Sequence, residues 1–148
     1  MRHTTIYPHL FLFLFLTSIT PAIAGNCEAT PAMHSGTHYQ AVTTEKVNMG
    51  KGLRISGTIR SANDCKAIPR AKISRWQTNR EGVYTQNLYA YMYSDTNGKY
   101  SYETEWPGAP IAHIHFIIEA QGYQKLVTQW IGDDKTDKVN LNFTLHKK

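Results

Sequence analysis

The sequence predicts an all-β fold, a β-sandwich of about seven to eight strands. Short runs rich in β-branched and aromatic residues follow one another along residues 53–145, and Gly, Pro, Asn or Asp separates them. No segment shows a helical periodicity, and the chain has no internal repeat or low-complexity tract. Many short strands separated by turn residues are typical of sandwiches of two sheets.

The first two strands are predicted at residues 53–59 and 71–77. Apolar residues alternate with others in the first run, at Leu53, Ile55 and Ile59, as expected for a strand with one buried face. Asn, Asp and Pro residues between the two runs mark a loop.

A hairpin is predicted next. Its first strand, residues 88–93, alternates three aliphatic residues with three tyrosines, at Tyr89, Tyr91 and Tyr93. Residues 95–98, Asp-Thr-Asn-Gly, form a tight turn, because glycine supplies the positive φ that a hairpin demands. Residues 99–103 are the returning strand.

Three more strands are expected after the Trp-Pro-Gly turn at residues 106–108. Two of them cover residues 111–119 and 124–131, with Gly122 at the turn between them. The last is a single strand over residues 139–145, in which Val, Leu, Phe and Leu alternate with polar residues.

The N-terminal segment has the layout of a secretory signal peptide. A short basic start precedes an unbroken Leu/Phe run at residues 10–16, and Ala22-Ile23-Ala24 is a small-x-small cleavage signal. The apolar run is far shorter than the roughly 20 residues of a membrane span. We therefore expect a cleaved signal peptide at residues 1–24, an extended arm at 25–50 and a β-sandwich domain at 51–148. Such a protein is exported, to the periplasm or the extracellular space.

The chain contains two cysteines, Cys27 and Cys65, and both lie in the part predicted to be exported. An oxidising compartment and an even number of cysteines favour one disulfide between them. This bond would attach the N-terminal arm to the body of the fold. A thiolate metal site is disfavoured, because the cysteines show no C-x-x-C spacing.

The chain is basic, with 16 Lys and Arg residues against 11 Asp and Glu residues and a formal net charge of +5. The basic residues are scattered along the sequence and do not form the clustered stripe that nucleic-acid binding requires. A general positive field favours anionic ligands or an anionic cell surface. We interpret these residues as a solvated surface.

The main candidate for function is the pair His113 and His115, within the β-branched run 111–119. Residues i and i+2 of a strand share a face, so both imidazoles are expected to project side by side. Two neutral imidazoles in this arrangement make half of a transition-metal site. Buried histidines without partners are costly, so the pair binds a metal or forms ordinary hydrogen bonds. The spacing alone leaves both possibilities open.

Three segments resemble the catalytic domain of intradiol ring-cleavage dioxygenases, the catechol and protocatechuate enzymes. Residues 68–84 resemble the family's P-I-P-G-A-x-V-x-x-W-Q-A-N…G-x-Y passage. Residues 95–100, Asp-Thr-Asn-Gly-Lys-Tyr, are similar to its T-D-x-x-G-x-Y hairpin, which transthyretin-like sandwiches also contain. Residues 112–133 resemble P-A-H-I-H-F…G…L-x-T-Q…G-D. The resemblance spans residues 52–134.

The resemblance implies a non-haem Fe(III) enzyme that cleaves catechol-type aromatic diols with O2. The family holds its iron with two tyrosinates and two histidines. Tyr84, eight residues after Trp76, matches the first tyrosinate, and His113 and His115 match the two histidines. Gln129 matches a glutamine beside the iron that helps to orient substrate and oxygen. The resemblance therefore assigns catalytic roles to Gln129 and Tyr84.

The chain departs from the family at the second tyrosinate. Pro107-Gly108 is followed after four residues by His113, so the family's long loop and its tyrosine are missing, and Pro110 stands where the family has an arginine. One phenolate and two imidazoles also suit Cu(II) or Zn(II). The three tyrosines of residues 88–93 replace the lost ligand only if their hairpin folds over the site.

Two other functions therefore remain open: a metal- or catecholate-binding protein on the same fold, and a transthyretin-like binding module without metal. His34 or His38 of the N-terminal arm is a possible fourth ligand. The sequence does not indicate the oligomeric state or which phenol is bound.

Overall fold

The computed structural model describes residues 27–34, 38–108, 110–132 and 136–148, so the predicted signal peptide, residues 1–24, lies outside the described residues. The described part forms two four-stranded sheets, which confirms the predicted all-β sandwich. It contains no helix that is long and apolar enough to cross a membrane. The strands are β1 Leu53–Ser61, β2 Lys72–Thr78, β3 Tyr84–Tyr93, β4 Lys99–Thr104, β5 His113–Glu119, β6 Leu126–Ile131, β7 Lys138–Asn140 and β8 Phe143–Leu145.

The two sheets differ in how their strands pair. In the first sheet the order is β4-β1-β7, and β8 also pairs with β1. Strand β1 is antiparallel to β4 and parallel to both β7 and β8. In the second sheet the order is β3-β2-β5-β6, and every neighbouring pair is antiparallel. This second sheet carries the histidine strand, β5, in its interior.

The core lies between the sheets and is filled by alternating side chains. In β1, Ile55 and Ile59 point inward, and in β5 the residues Ile114, Phe116 and Ile118 do so; all five are fully buried. Each such side chain contributes about 1.5–3 kcal/mol through removal from water. Since Ile114 and Phe116 fill the core, the residues between and beside them in β5 face outward.

The prediction of a single final strand over residues 139–145 is wrong, because this segment forms two strands, β7 and β8. The chain leaves the sheet at Leu141 and Asn142, where it passes directly over Gly57 of β1. A Cβ atom on Gly57 would lie 1.9 Å from the Leu141 carbonyl oxygen. Alternating hydrophobicity does not reveal this interruption, since both halves keep the period of two.

The N-terminal arm lies against both sheets. Glu45 forms a parallel bridge to Tyr91 in β3, and Met49 forms one to Thr104 in β4. The arm thus closes the open edge between the two sheets. Nearer the N-terminus, the Pro31 carbonyl of the arm accepts a hydrogen bond of 3.0 Å from the Thr128 hydroxyl of β6.

The predicted disulfide is present. Cys27 and Cys65 are joined with their Cα atoms 5.3 Å apart, at a sequence separation of 38 residues. The bond attaches the start of the described arm to the turn that follows β1. It therefore restricts the unfolded chain over a long loop.

Removal of this disulfide is expected to lower the free energy of unfolding by about 2–4 kcal/mol, because the unfolded chain regains the entropy of the open loop. Denaturant titration of Cys27→Ser against the oxidised parent measures this loss. Cys65→Ser and the double variant are the controls, since each removes the same disulfide. Unfolding midpoints equal to that of the parent would contradict the prediction.

Candidate metal centre

The candidate site lies on the outer face of the second sheet. Four side chains form one row of cross-strand neighbours there, because Tyr89 is paired with Trp76, Trp76 with His115, and His115 with Gln129. Residues directly opposite one another in an antiparallel sheet project to the same side. The strand pairing therefore brings His115 and Gln129 together, and the spacing within β5 adds His113 two residues away.

Tyr84 reaches this row through an irregular turn before β3. The register between β2 and β3 shifts after Trp76, and such bulges re-aim side chains beside functional sites. The Asn79 side chain accepts hydrogen bonds from the backbone of Glu81 and Val83, at 3.1 and 2.8 Å. These bonds fold the turn back toward β2 and aim Tyr84 at the histidines.

The same turn fixes the segment that enters β5. The Asn79 carbonyl accepts a 2.8 Å hydrogen bond from the backbone of Gly108. A Cβ atom on Gly108 would lie 2.1 Å from the Arg80 carbonyl oxygen, so only glycine fits there. The Trp-Gln-x-Asn and Pro-Gly motifs thus act together, by holding the segment before Tyr84 against the segment before His113.

Three potential ligand atoms converge at this place. The Tyr84 hydroxyl oxygen lies 3.2 Å from Nε2 of His113 and 3.2 Å from Nε2 of His115. Ligand atoms about 2.0–2.2 Å from one ion, at angles of about 90–110°, lie roughly 2.8–3.6 Å apart. The spacing of these atoms therefore fits a shared metal ion.

A backbone contact orients the His113 ring. Its Nδ1 lies 2.8 Å from the Ile111 carbonyl oxygen, which accepts a hydrogen bond from the Nδ1–H group. Nε2 of a neutral His113 then carries a free lone pair toward Tyr84. Such a hydrogen bond from the non-ligating nitrogen is the usual support of a metal-binding histidine.

The surroundings of His115 keep it neutral. Its ring is only 5 % exposed and stacks on Trp76, with ring centroids 5.0 Å apart. Burial, followed by the charges of His113 and His38, lowers the pKa of His115 to about 4. At neutral pH the His115 imidazole is therefore already neutral and can bind a cation without first releasing a proton. Its buried Nδ1 has no hydrogen-bond partner among the described residues.

Tyr84 is protonated in the metal-free protein. Burial, reinforced by neighbouring Tyr89, raises the pKa of the Tyr84 phenol above its ordinary value. The single phenol proton is donated to the free Nε2 of His113, and the oxygen accepts from Nε2–H of His115. A bound cation would take the place of these protons at the centre of the three atoms.

The ligand set depends on the tyrosine. Within the described ranges, no three His, Cys, Asp or Glu side chains form a group that could hold a metal. His38 of the arm does come close, but it stacks face to face on Tyr84 with ring centroids 4.3 Å apart. It therefore contacts the candidate ligand Tyr84 and does not complete a histidine group.

The tyrosines of β3 do not replace the missing second tyrosinate. Tyr89, the nearest of them, donates its hydroxyl proton to the His38 carbonyl at 2.9 Å. Tyr91 and Tyr93 lie further along β3, opposite Ser74 and Lys72. The hairpin does not fold over the site.

An open recess adjoins the histidines. It has a volume of about 300 Å³ and is lined by Pro110, Ile111, His113, Gln129 and Ile131. Ile111 and Ile131 are 58 % and 55 % exposed, which is unusual for large aliphatic side chains beside a candidate site. None of the described residues that line it carries a charge. It is suited to an uncharged aromatic ring, with one amide in Gln129 to orient it.

The sequence identified Tyr84, His113, His115 and Gln129, and the structure brings these four side chains to one region. The sequence also named His38 as a possible fourth ligand, and the path of the arm does bring it to the site, where it stacks on Tyr84. Trp76, from which the offset of Tyr84 was counted, is fully buried and forms the surface under His115.

Comparison with known proteins gives matches in sequence. No family model matches the chain. Catechol 1,2-dioxygenase from Acinetobacter baylyi (strain ATCC 33305 / BD413 / ADP1) is 30% identical over 73% of this chain and 48% of its own length. Catechol 1,2-dioxygenase from Acinetobacter guillouiae is 27% identical over 74% of this chain and 48% of its own length. The chain spans about half the length of the curated relatives it matches.

Solved structures share the fold. The dioxygenase domain of a dioxygenase–carbohydrate-binding protein fusion from Streptomyces sp. SirexAA-E matches with a TM-score of 0.72 at 20% identity, over 82% of this chain and 100% of that one. Hydroxyquinol 1,2-dioxygenase from Pseudomonas putida DLL-E4 matches with a TM-score of 0.70 at 17% identity, over 84% and 68% of the two chains.

Proposed function

Since the chain belongs to the intradiol ring-cleavage dioxygenase family, we propose that it is an iron-dependent enzyme that acts on catechol-type aromatic diols with O2. One observation carries this proposal: the oxygen of Tyr84 lies 3.2 Å from Nε2 of His113 and 3.2 Å from Nε2 of His115. Such a set, one hard anionic oxygen and two neutral nitrogens, suits Fe(III).

Each ligand has a defined task. Tyr84 gives up its proton on metal binding and contributes the negative charge that favours Fe(III) over Fe(II). His113, oriented by the Ile111 carbonyl, and His115, held flat against Trp76, contribute neutral nitrogens. A ferric ion held here would supply the redox centre that binds the diol and makes its ring reactive toward O2.

The recess accounts for the substrate class. Ile111, Ile131 and Pro110 provide apolar surface for an aromatic ring beside the site, and the Gln129 amide offers both a donor and an acceptor. Cleavage would break the bond between the two hydroxylated carbons. Both atoms of O2 enter the product, an unsaturated dicarboxylic acid, so the reaction balances without an added reductant.

A second function, binding of a catecholate or metal without catalysis, is favoured by one feature. The connection between Pro107 and His113 contains no tyrosine to take up a proton from the diol, and the Tyr89 hydroxyl is engaged with His38. The diol must then lose its protons to water. If that transfer fails, the protein binds catecholates and does not cleave them.

Oxygen consumption by the ferric protein with catechol tests the proposal. We expect uptake of one O2 for each ring opened, with the rate rising as the pH increases, because ionised catechol needs no internal base. His115→Ala is the control for the metal and is expected to consume no oxygen. A catechol-induced spectral change without oxygen uptake would favour the binding protein, and no change at all would contradict both functions.

We further propose that the protein is exported after removal of residues 1–24. The short basic start, the Leu/Phe run and the Ala-Ile-Ala sequence support this proposal, and the disulfide is consistent with an oxidising compartment.

A further inference from the structure

We propose that a cleft on the second sheet, separate from the metal centre, binds an acidic polysaccharide, a carbohydrate chain bearing repeated sulfate or carboxylate groups. The basic cleft has a volume of about 400 Å³ and is lined by Arg70, Lys72, Tyr93, Glu119, Ala120, Gln121, Tyr123, Lys125 and Lys148. It lies where β2 begins and β5 ends. The histidines lie at the opposite end of β5, which is roughly 20 Å long.

Four cations from three separate parts of the chain meet in the basic cleft. Arg70 and Lys72 precede and begin β2, Lys125 precedes β6, and Lys148 is held by a 3.0 Å backbone hydrogen bond to the Gly122 carbonyl. No carboxylate among the described residues forms an ion pair with any of them. The fold therefore gathers four of the scattered basic residues into one cleft, where they outnumber the Glu119 carboxylate that lines it opposite Lys72.

The backbone at Arg70 supports a binding role. Its φ is +56°, in the left-handed region that residues other than glycine seldom occupy. Strain of this kind is concentrated at ligand sites. This conformation directs the guanidinium over the Tyr93 ring, 5.5 Å from its centroid, at the rim of the cleft.

The ligand is expected to be elongated. Lys72, Glu119 and Lys125 also line an adjoining cavity of about 190 Å³, which continues along the outer face toward Tyr39 of the arm. A single small anion would fill only part of this joined surface. A chain with anionic groups at regular intervals would contact cations along its whole length.

The aromatic residues favour a carbohydrate over a nucleic acid. Single strands bind through bases that stack on free aromatic faces. Here Arg70 covers a face of Tyr93, and the Lys72 ammonium lies 4.4 Å from the centroid of the Tyr91 ring. Tyr93, the cleft tyrosine with a cation on its ring, therefore offers its hydroxyl group more readily than an open ring face, and hydroxyls pair well with sulfates, carboxylates and sugar oxygens.

Heparin and polygalacturonate, as sulfated and carboxylated probes, test the proposal with the full folded protein. At about 50 mM salt, where surface charges are weakly screened, we expect saturable binding that declines as salt is added. The double variant Lys72→Gln/Lys125→Gln is expected to bind about two- to thirtyfold more weakly. Glu119→Gln, which removes the carboxylate from the cleft, is expected to bind more tightly.

Matched controls separate the cleft from the net charge. Lys51→Gln/Lys138→Gln removes two exposed lysines elsewhere, and Glu81→Gln removes an exposed carboxylate elsewhere. Both controls should bind like the parent. If both double lysine variants bound the polysaccharides equally weakly, net charge alone would explain the effect, and the proposal would be overturned. Tighter binding of a thymidine oligonucleotide than of either polysaccharide would overturn the assigned ligand class.

Discussion

Tyr84→Phe is expected to abolish the visible colour of the ferric protein. A phenolate bound to Fe(III) gives a charge-transfer band that colours a protein red to burgundy, and Tyr84 is the phenol whose oxygen lies 3.2 Å from both histidine nitrogens. Phenylalanine keeps the ring that stacks on His38 and removes only the ligand atom. An absorption spectrum together with an iron assay measures the effect.

Two variants make this prediction specific. Tyr89→Phe is the matched control, because its hydroxyl, on the same sheet face, is engaged with the His38 carbonyl and not with the histidine rings. It should leave the band unchanged. His113→Ala or His115→Ala should lose most of the bound iron, since only two protein ligands remain. A band that survives in Tyr84→Phe would show that the tyrosinate role does not belong to this residue.

The strand pattern of this chain was readable from sequence because most strands bury one face. Apolar and β-branched runs between turn residues located β1, β2, β4 and β5 to within two residues at either end. The period of two within a strand placed His113 and His115 on the same side of β5. It failed at residues 139–145, where the interruption is caused by the close passage over Gly57 in another strand. A contact between segments that are distant in the sequence does not change the hydrophobic periodicity of either segment.

Buried polar residues were the least predictable part. Arg75 occupies a core-facing position of β2 and is fully buried. Its guanidinium lies over the Tyr102 ring, 4.2 Å from the centroid, and donates hydrogen bonds to the carbonyls of Lys46 and Val47 in the arm. Composition favours a solvated arginine. Only the course of the arm shows why a cation is retained in this core.

The resemblance predicted the candidate ligands of the site but not the residues that surround them. The offset from Trp76 assigned Tyr84, yet the turn that aims it depends on hydrogen bonds that the Asn79 side chain accepts from the backbone. The stacking of His38 on Tyr84 depends on the arm. The spacing of the motif residues is enough to predict the candidate ligands. The residues around them are brought in by contacts between segments that are distant in the sequence, which spacing does not show.

Because the recess is apolar, we expect the protein to prefer uncharged diols. Ile131→Lys should reverse this preference. In the parent, a carboxylated catechol would place its carboxylate against Ile111, Ile131 and Pro110 with no cation in the recess, at a cost in solvation. Catechol or an alkylcatechol avoids this cost. We therefore expect the parent to bind alkylcatechols more tightly than 3,4-dihydroxybenzoate.

Ile131→Lys supplies the missing cation. Ile131 is 55 % exposed, so its replacement should not disturb the core. A hydrogen bond to a charged group contributes about 1.5–3 kcal/mol, so the ratio of the two dissociation constants should change about tenfold to hundredfold in favour of 3,4-dihydroxybenzoate. Optical titration of the ferric protein with each diol gives both constants.

Val47→Lys is the control for this reversal. It adds the same charge at a residue that is 52 % exposed and does not line the recess. If Val47→Lys changed the ratio as much as Ile131→Lys, the effect would arise from the overall field of the protein. If neither variant changed it while catechol still bound, the diol would enter the metal site from another side, and the substituent would never contact Ile131.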